Sequence, residues 1–564
     1  MKKFMTQTFR MLAFGFLSVS LVLSSCDNGD DDPTTFADPT ITVTSATSQQ
    51  VPGGKVTFTI AVAADAGLAS VKQGDAEVKS YSTETKTDVI TYEYTIPASQ
   101  ATGALTVPFV VTDKQGTPKT ATANGNITVT ETPKETVVID APITADATWT
   151  EDKFYLLKGN IYVEAGAELT IDPGTIVLGD KVSKGALIVS RGAMIHAVGT
   201  AEKPIIFTSS APKNFRNYGD WGGVVLLGNA QNNQNVKQKI EGISAAEGDN
   251  GYYGGDGSLD DESSGEMSYV RIEFAGIALS TDNELNGLTF GGVGSGTQID
   301  HIQVSYSGDD SYEWFGGAVS TNHLIAYRGW DDDFDTDFGH HGLHQYLVSF
   351  RDPNIADKSG SNGFESDNDA GGDANVPVTA PKFANVTWFG PYVYANLSSG
   401  KLSKSNVNAN YQRGGHIRRN SALQVYNSAF VGFYLDGFFF ENTNANAVVK
   451  GNYLGRSLNK NANTQEDQAY STKDSNFDAS NMATDNMIES PLATVDLSAK
   501  FADLAAVGNI NAPNAMLAAN SPLLTAGVEV PEGLTQEDYI GAFGSENWMA
   551  GWTNFDPNTT DYGN

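Results

Sequence analysis

The stretch IYVEAGAELTI (Ile161–Ile171) returns 26 residues later as LIVSRGAMIHA (Leu187–Ala197). With that shift Val163 falls on Val189, Gly166-Ala167 on Gly192-Ala193 and Leu169 on Ile195. Each copy alternates apolar and polar residues around a glycine turn, so each supplies short strands that cannot bury their apolar side alone. A repeat of this length therefore predicts stacked rungs, a β solenoid. The pattern continues outward through variable loops: YVRIEFAG (Tyr269–Gly276), IQVSYSG (Ile302–Gly308), HLIAYRG (His323–Gly329), YLVSFRD (Tyr346–Asp352), FANVTWFG (Phe383–Gly390) and LQVYNSAFVGF (Leu423–Phe433) read as one strand on successive rungs.

Three further stretches carry acids among aromatics: DDSYEWFGG (Asp309–Gly317), DDDFDTDFG (Asp331–Gly339) and SNGFESDND (Ser361–Asp369). A shift of 22 puts Tyr312 on Phe334, Glu313 on Asp335 and Gly317 on Gly339, and the third stretch adds Phe364 and Glu365. Tyr312, Phe334 and Phe364 are expected to stack inward, and Glu313, Asp335 and Glu365 to form an outward column. Neighbouring strands lie about 4.8 Å apart, so these carboxylates repel one another. Bound Ca²⁺ would offset this, with Glu313, Asp333, Asp335, Asp337, Glu365 and Asp367 as ligands and Asp309, Asp310, Asp331, Asp332 and Asp369 in reserve. Basic partners (Arg328, Arg351, Arg418, Arg419), raised carboxyl pKa values and plain solvation are the other accounts.

The segment GHHGLHQY (Gly339–Tyr346) holds His340, His341 and His344. Flanking glycines and the lack of an HExxH motif make zinc weak, and histidines in a turn read first as hydrogen-bonding surface groups, with metal or ligand contact as the alternative. His416, Arg418 and Arg419 form a basic spot suited to a carboxylate or sulfate. Trp330, Trp388, Tyr392 and Tyr394 would stack on sugar rings.

The chain has 564 residues, 67 acidic against 35 basic, for a net charge of −32. That field repels phosphate backbones and argues against nucleic acid. A basic start (Lys2, Lys3, Arg10) precedes an apolar run, Met11–Leu23, too short to span a membrane. Residues 1–25 thus read as a signal peptide and 26–39 as an acidic tether. From 40 to 130, alternating strands such as KVTFTIAVAA predict an antiparallel sandwich, then a linker at 131–136. The solenoid takes 137–526. An aromatic tail, 527–564, is expected to cap its open end.

Leu23-Ser24-Ser25-Cys26 resembles a lipobox, which implies a lipid on Cys26, the one cysteine in the chain. Asp27–Asp32 resembles an acidic surface-export tag, which implies the outer face of an outer membrane. The sandwich resembles immunoglobulin-like modules, and the rungs resemble the right-handed parallel β-helix of the pectate-lyase-like superfold. DWGGVVLLGNA (Asp220–Ala230), GGHIRRNS (Gly414–Ser421) and DYIGAFGSENWMAGWTNFDP (Asp538–Pro557) are similar to a family of Bacteroidetes surface lipoproteins with no established reaction. An all-β fold is expected throughout, an immunoglobulin-like sandwich followed by the β-helix. The function expected is binding of a glycan or another surface macromolecule, in partnership with a surface transporter. The alternatives are a Ca²⁺-dependent polysaccharide lyase or a glycoside hydrolase, and a structural or adhesive spacer. If the chain is similar to lyases of this fold, Asp335, Glu365 and Asp337 hold the ion and Arg418 or Arg419 takes the proton. Rung counting cannot place those arginines beside the acids.

Overall fold

The structure is a computed structural model. It describes residues 36–564 apart from 235–236, 244–248, 281–282, 398–406, 456–468, 474–484, 490–498 and 503–508. The expected signal peptide, Cys26 and most of the expected acidic tether lie outside the described residues. The chain divides into two compact units, with the boundary after Pro133.

The first unit is a two-sheet sandwich. Thr40–Ser45, Lys55–Ala63 and Thr87–Thr95 form one antiparallel sheet. Gln49–Gln50, Thr120–Val129, Gly103–Asp113, Leu68–Gln73 and Ala76–Ser80 form the other. Alternation does the work. Val56, Phe58, Ile60 and Val62 turn inward and meet Val107, Phe109, Val111 and Ile127. Each buried side chain of this kind contributes about 1.5–3 kcal/mol.

The second unit is a parallel β-helix. Among the described residues each rung gives one short strand to a ten-stranded parallel sheet, which runs from Asn160–Val163 to Tyr470–Thr472. On the middle rungs a longer strand follows in a seventeen-stranded sheet, as Ser320–Tyr327 follows Tyr312–Phe315. The expected shift of 26 holds: Val163 pairs with Val189 and Leu169 with Ile195. The long strands bend where one residue adopts positive φ: Tyr269, His301, His323, Tyr346 and Asn385, at 50°, 52°, 53°, 61° and 52°. That conformation is costly for residues with a Cβ. Stacking offsets the cost, because the Tyr269, His301, His323 and Tyr346 rings lie 4.4, 4.3 and 4.9 Å apart in succession.

The core changes character along the helix. Early rungs bury Ile161, Leu187 and Val224, and middle rungs bury Phe290, Tyr312, Trp314, Phe334 and Phe364. The inward stack is as expected. The Tyr312 and Phe334 rings are 5.6 Å apart, and those of Phe334 and Phe364 5.4 Å. Gly415 continues the row because a Cβ there would collide with the Phe438 ring.

The C-terminal tail corrects an expectation. It does not cover the open end but runs along the flank, from the Asn427 rung to the Glu273 rung. Asn427 binds Val528 O (2.8 Å), Gln345 accepts from Thr535 N (2.8 Å), Gln303 accepts from Asn554 N (2.9 Å), and Tyr562 donates to Glu273 (2.7 Å). The physical reason is the aromatic flank itself: Tyr269, Tyr327 and Phe350 need cover, which Trp552 and Phe555 supply.

Candidate functional site

The acidic strands occupy adjacent rungs of the ten-stranded sheet in the expected register. Glu313 pairs with Asp335, Asp335 with Glu365, Glu365 with His416, and His416 with Phe439. Because Tyr312, Phe334 and Phe364 face the core, the residue after each faces out. Outward is not into open water, however. Glu313 retains 9% of its exposure, and Asp335 and Glu365 are half-buried. Tyr253, from the insertion after Gly223–Leu227, packs on Phe315 and walls one side. Asn233 binds Asn368 O (2.7 Å) and ties that insertion to the loop after Phe364–Ser366. Plain solvation of the column is therefore corrected: the acids line a recess.

Loop acids join the column. Asp309, Asp310 and Asp331 form one group whose ligand atoms lie within 4.8 Å of one another. Asp310, Glu313 and Asp335 form a second, and Asp332, Asp335 and Glu365 a third, so Asp335 is shared. Burial, then neighbouring charge, pushes Asp309, Asp310, Asp332, Asp335 and Glu313 well above the usual carboxylate range. Burial raises Asp331 to about 6, and raises Glu365 to about 7 even against the pull of Arg418.

Compensation is uneven along the recess. At one end Arg418 donates to Glu365 and, through Nε, to Asp367 at 2.8 Å. Arg419 donates to the other Asp367 oxygen at 2.7 Å. His416 contacts Glu441 at 3.2 Å, and Arg413 lies 3.5 Å from Asp436. At the other end Glu313 accepts from Asn286, and Asp332 accepts from the Asn362 amide. Asp335 Oδ1 is buried with no hydrogen-bond partner among the described residues. A buried carboxylate oxygen without a donor is costly, so this end calls for a cation or a proton. All-oxygen donors in an acid-rich group suit Ca²⁺.

Not every expected site residue belongs here. Asp333, taken as a ligand, is fully buried on the other side of its rung. It accepts from Arg351 (2.7 Å), Ser349 (2.6 Å) and Trp388 Nε1 (2.8 Å). Trp388 is 1% exposed and cannot stack on a sugar, nor can the buried Tyr392 and Tyr394. Trp330 is half-exposed and packs edge-on against Tyr218 at 5.2 Å. Asp337 lines the recess beyond Asp335 but accepts from its neighbour, the Phe338 amide. Asp367 is held by the two arginines.

The histidines also depart from expectation. His340 and His344 turn into the core, with Nε2 atoms 2.8 Å apart. His340 Nδ1 donates to Gly316 O (3.0 Å), so its Nε2 accepts from His344, whose Nδ1 accepts from Thr321 (2.8 Å). Burial pushes His340 down to about 3 and His344 down as well, so both stay neutral. Trp314 lies 5.8 and 4.9 Å from the two rings. His341 alone remains half-exposed, bound to Gly339 O at 2.9 Å.

Sequence reasoning missed Asn286 and Arg413, which stand in irregular segments before their strands. It also missed Asp300, His301 and His323, although the shift of 22 that aligned the acids puts His301 on His323.

Fold and recess together define a parallel β-helix protein with a carboxylate-lined outer face on one sheet. Residues 141–553 match the pectate-lyase-like beta helix domain, and the chain belongs to that family. No curated protein and no solved structure matches it.

Proposed function

We propose that the recess binds Ca²⁺ at its uncompensated end, around Asp335, and with it an acidic glycan, without catalysing a reaction on it. The observation that carries this is Asp335, shared by two three-carboxylate groups and left with a donor-less buried oxygen. His416, Arg418 and Arg419, two rungs on from Asp335, would meet the sugar's own anions, and the half-exposed Trp330 and His341 would add contacts. Arg418 argues against lyase chemistry. Glu365 and Asp367 hold its guanidinium more firmly protonated than usual despite its burial, the opposite of what a base needs.

A second reading, glycoside hydrolysis, is favoured by one fact. Glu365 at about 7 would exchange a proton near neutrality. The chain would act at an outer membrane surface, lipidated at Cys26, with the sandwich as spacer and a transporter as partner.

The test is retention of acidic polysaccharides on the immobilised protein. Retention in Ca²⁺ that is lost with chelator and with Asp335→Ala, and no new sugar ends, is the expected result. Retention indifferent to both contradicts it. New reducing ends abolished by Glu365→Gln would establish the second reading, and unsaturated ends a lyase.

A further inference from the structure

A second cluster lies away from the recess, at the bend of the seventeen-stranded sheet. His301 and His323 occupy equivalent corners on neighbouring rungs, both at positive φ, with rings stacked 4.3 Å apart. Each turns Nδ1 toward one oxygen, Asp300 Oδ1, at 2.9 and 2.7 Å. The His323 contact is a hydrogen bond. His301 Nδ1 is buried and has no well-directed hydrogen-bond partner among the described residues. The three ligand atoms lie within 4.8 Å of one another.

Tyr269 and Tyr346 close the two ends of the ring stack. The C-terminal tail roofs it, with Trp548 at 5.1 Å from His323 and Trp552 at 5.7 Å from His301. The Asp300 side chain keeps 47% of its exposure, so solvent reaches the cluster from that side. Two imidazole nitrogens and one carboxylate make a mixed donor set. Hard Ca²⁺ prefers oxygen alone, whereas imidazole selects borderline first-row ions.

We propose that Asp300, His301 and His323 form a second cation site, for Zn²⁺ or a similar transition ion, with water completing the shell. Ligand bonds of about 2.0–2.2 Å in the plane of each imidazole are required, so the stacked rings must tilt apart and the exposed Asp300 carboxylate must draw back to admit the ion. The site is independent of the recess in both position and donor chemistry.

The test is calorimetric titration of the untagged full chain with Zn²⁺, in excess Ca²⁺ to fill the recess. One Zn²⁺ per chain is expected, weakened at least about 10-fold by Asp300→Asn and by His323→Asn and unchanged by Asp335→Asn. An unfolding midpoint unchanged in metal-free Asp300→Asn would show that its effect on binding is not a folding defect. Cu²⁺, which binds such donors more tightly than Zn²⁺, should also quench tryptophan fluorescence through Trp548, and Asp300→Asn should weaken that quenching. Absence of Zn²⁺ binding overturns the proposal. So does binding that survives both Asp300→Asn and His323→Asn, or that is lost in Asp335→Asn.

Discussion

Asp333 and Asp335 stand two residues apart in one rung and meet opposite surroundings. Asp333 is fully buried, and a guanidinium, a hydroxyl and an indole N–H satisfy it. Asp335 is half-buried in the recess, with one oxygen unmet among the described residues and acids on both neighbouring strands. Glu365 and Asp367 fall between these cases, since Arg418 reaches both. The difference separates two uses of a carboxylate. A matched one holds the fold together, and an unmatched one among like charges is a place for a ligand.

The largest effect expected on this contrast is at the matched pair. Arg351→Met leaves Asp333 buried without its cation and should cost about 3–5 kcal/mol in denaturant unfolding. A loss under about 1 kcal/mol would mean that the pair is not what holds this rung. At the unmatched acid the order reverses. Asp335→Asn should leave the fold intact, or stabilise it without metal, while weakening Ca²⁺ about 100-fold by calorimetry.

Acidity sharpens the same comparison. Burial puts Glu365 at about 7 and Asp331 at about 6, above the value of about 4 in an unfolded chain. Without cation their contribution to stability is fully present below about pH 4 and is lost as pH rises through 6 and 7. Added Ca²⁺ should therefore raise Tm more at pH 8 than at pH 5. An equal rise at both would show that the acids carry no proton to displace. The smallest effect is expected at the balanced end. Arg418→Gln should cost less than Arg351→Met in the same unfolding measurement, since Arg418 and Glu365 keep some contact with water and Arg419 still holds Asp367. Ca²⁺ affinity should rise or hold in that variant, and a fall would place Arg418 in the cation site's support.

Strand register was legible because a period-two alternation of aromatic in and acid out admits one alignment of the Tyr312, Phe334 and Phe364 strands. What lay in irregular segments was not. Some fifty residues separate Phe364 from its partner Gly415, so rung counting could not bring Arg418 to Glu365. Asp333 precedes its strand, where alternation no longer says which way a side chain points. His340 follows a positive-φ glycine, Gly339, which swings the ring inward. The tail's aromatics looked like an end cap because composition shows that they need burial but not against which surface.

Crystals of the full chain grown with Ca²⁺, and measured for anomalous scattering, test the ligand account most directly. An ion bonded to Asp335 with Asp310 and Glu313, or with Asp332 and Glu365, is the expected result. An ion seated instead at Asp367 or Glu441, or a recess whose carboxylates pair only with protons and water at saturating Ca²⁺, would contradict it.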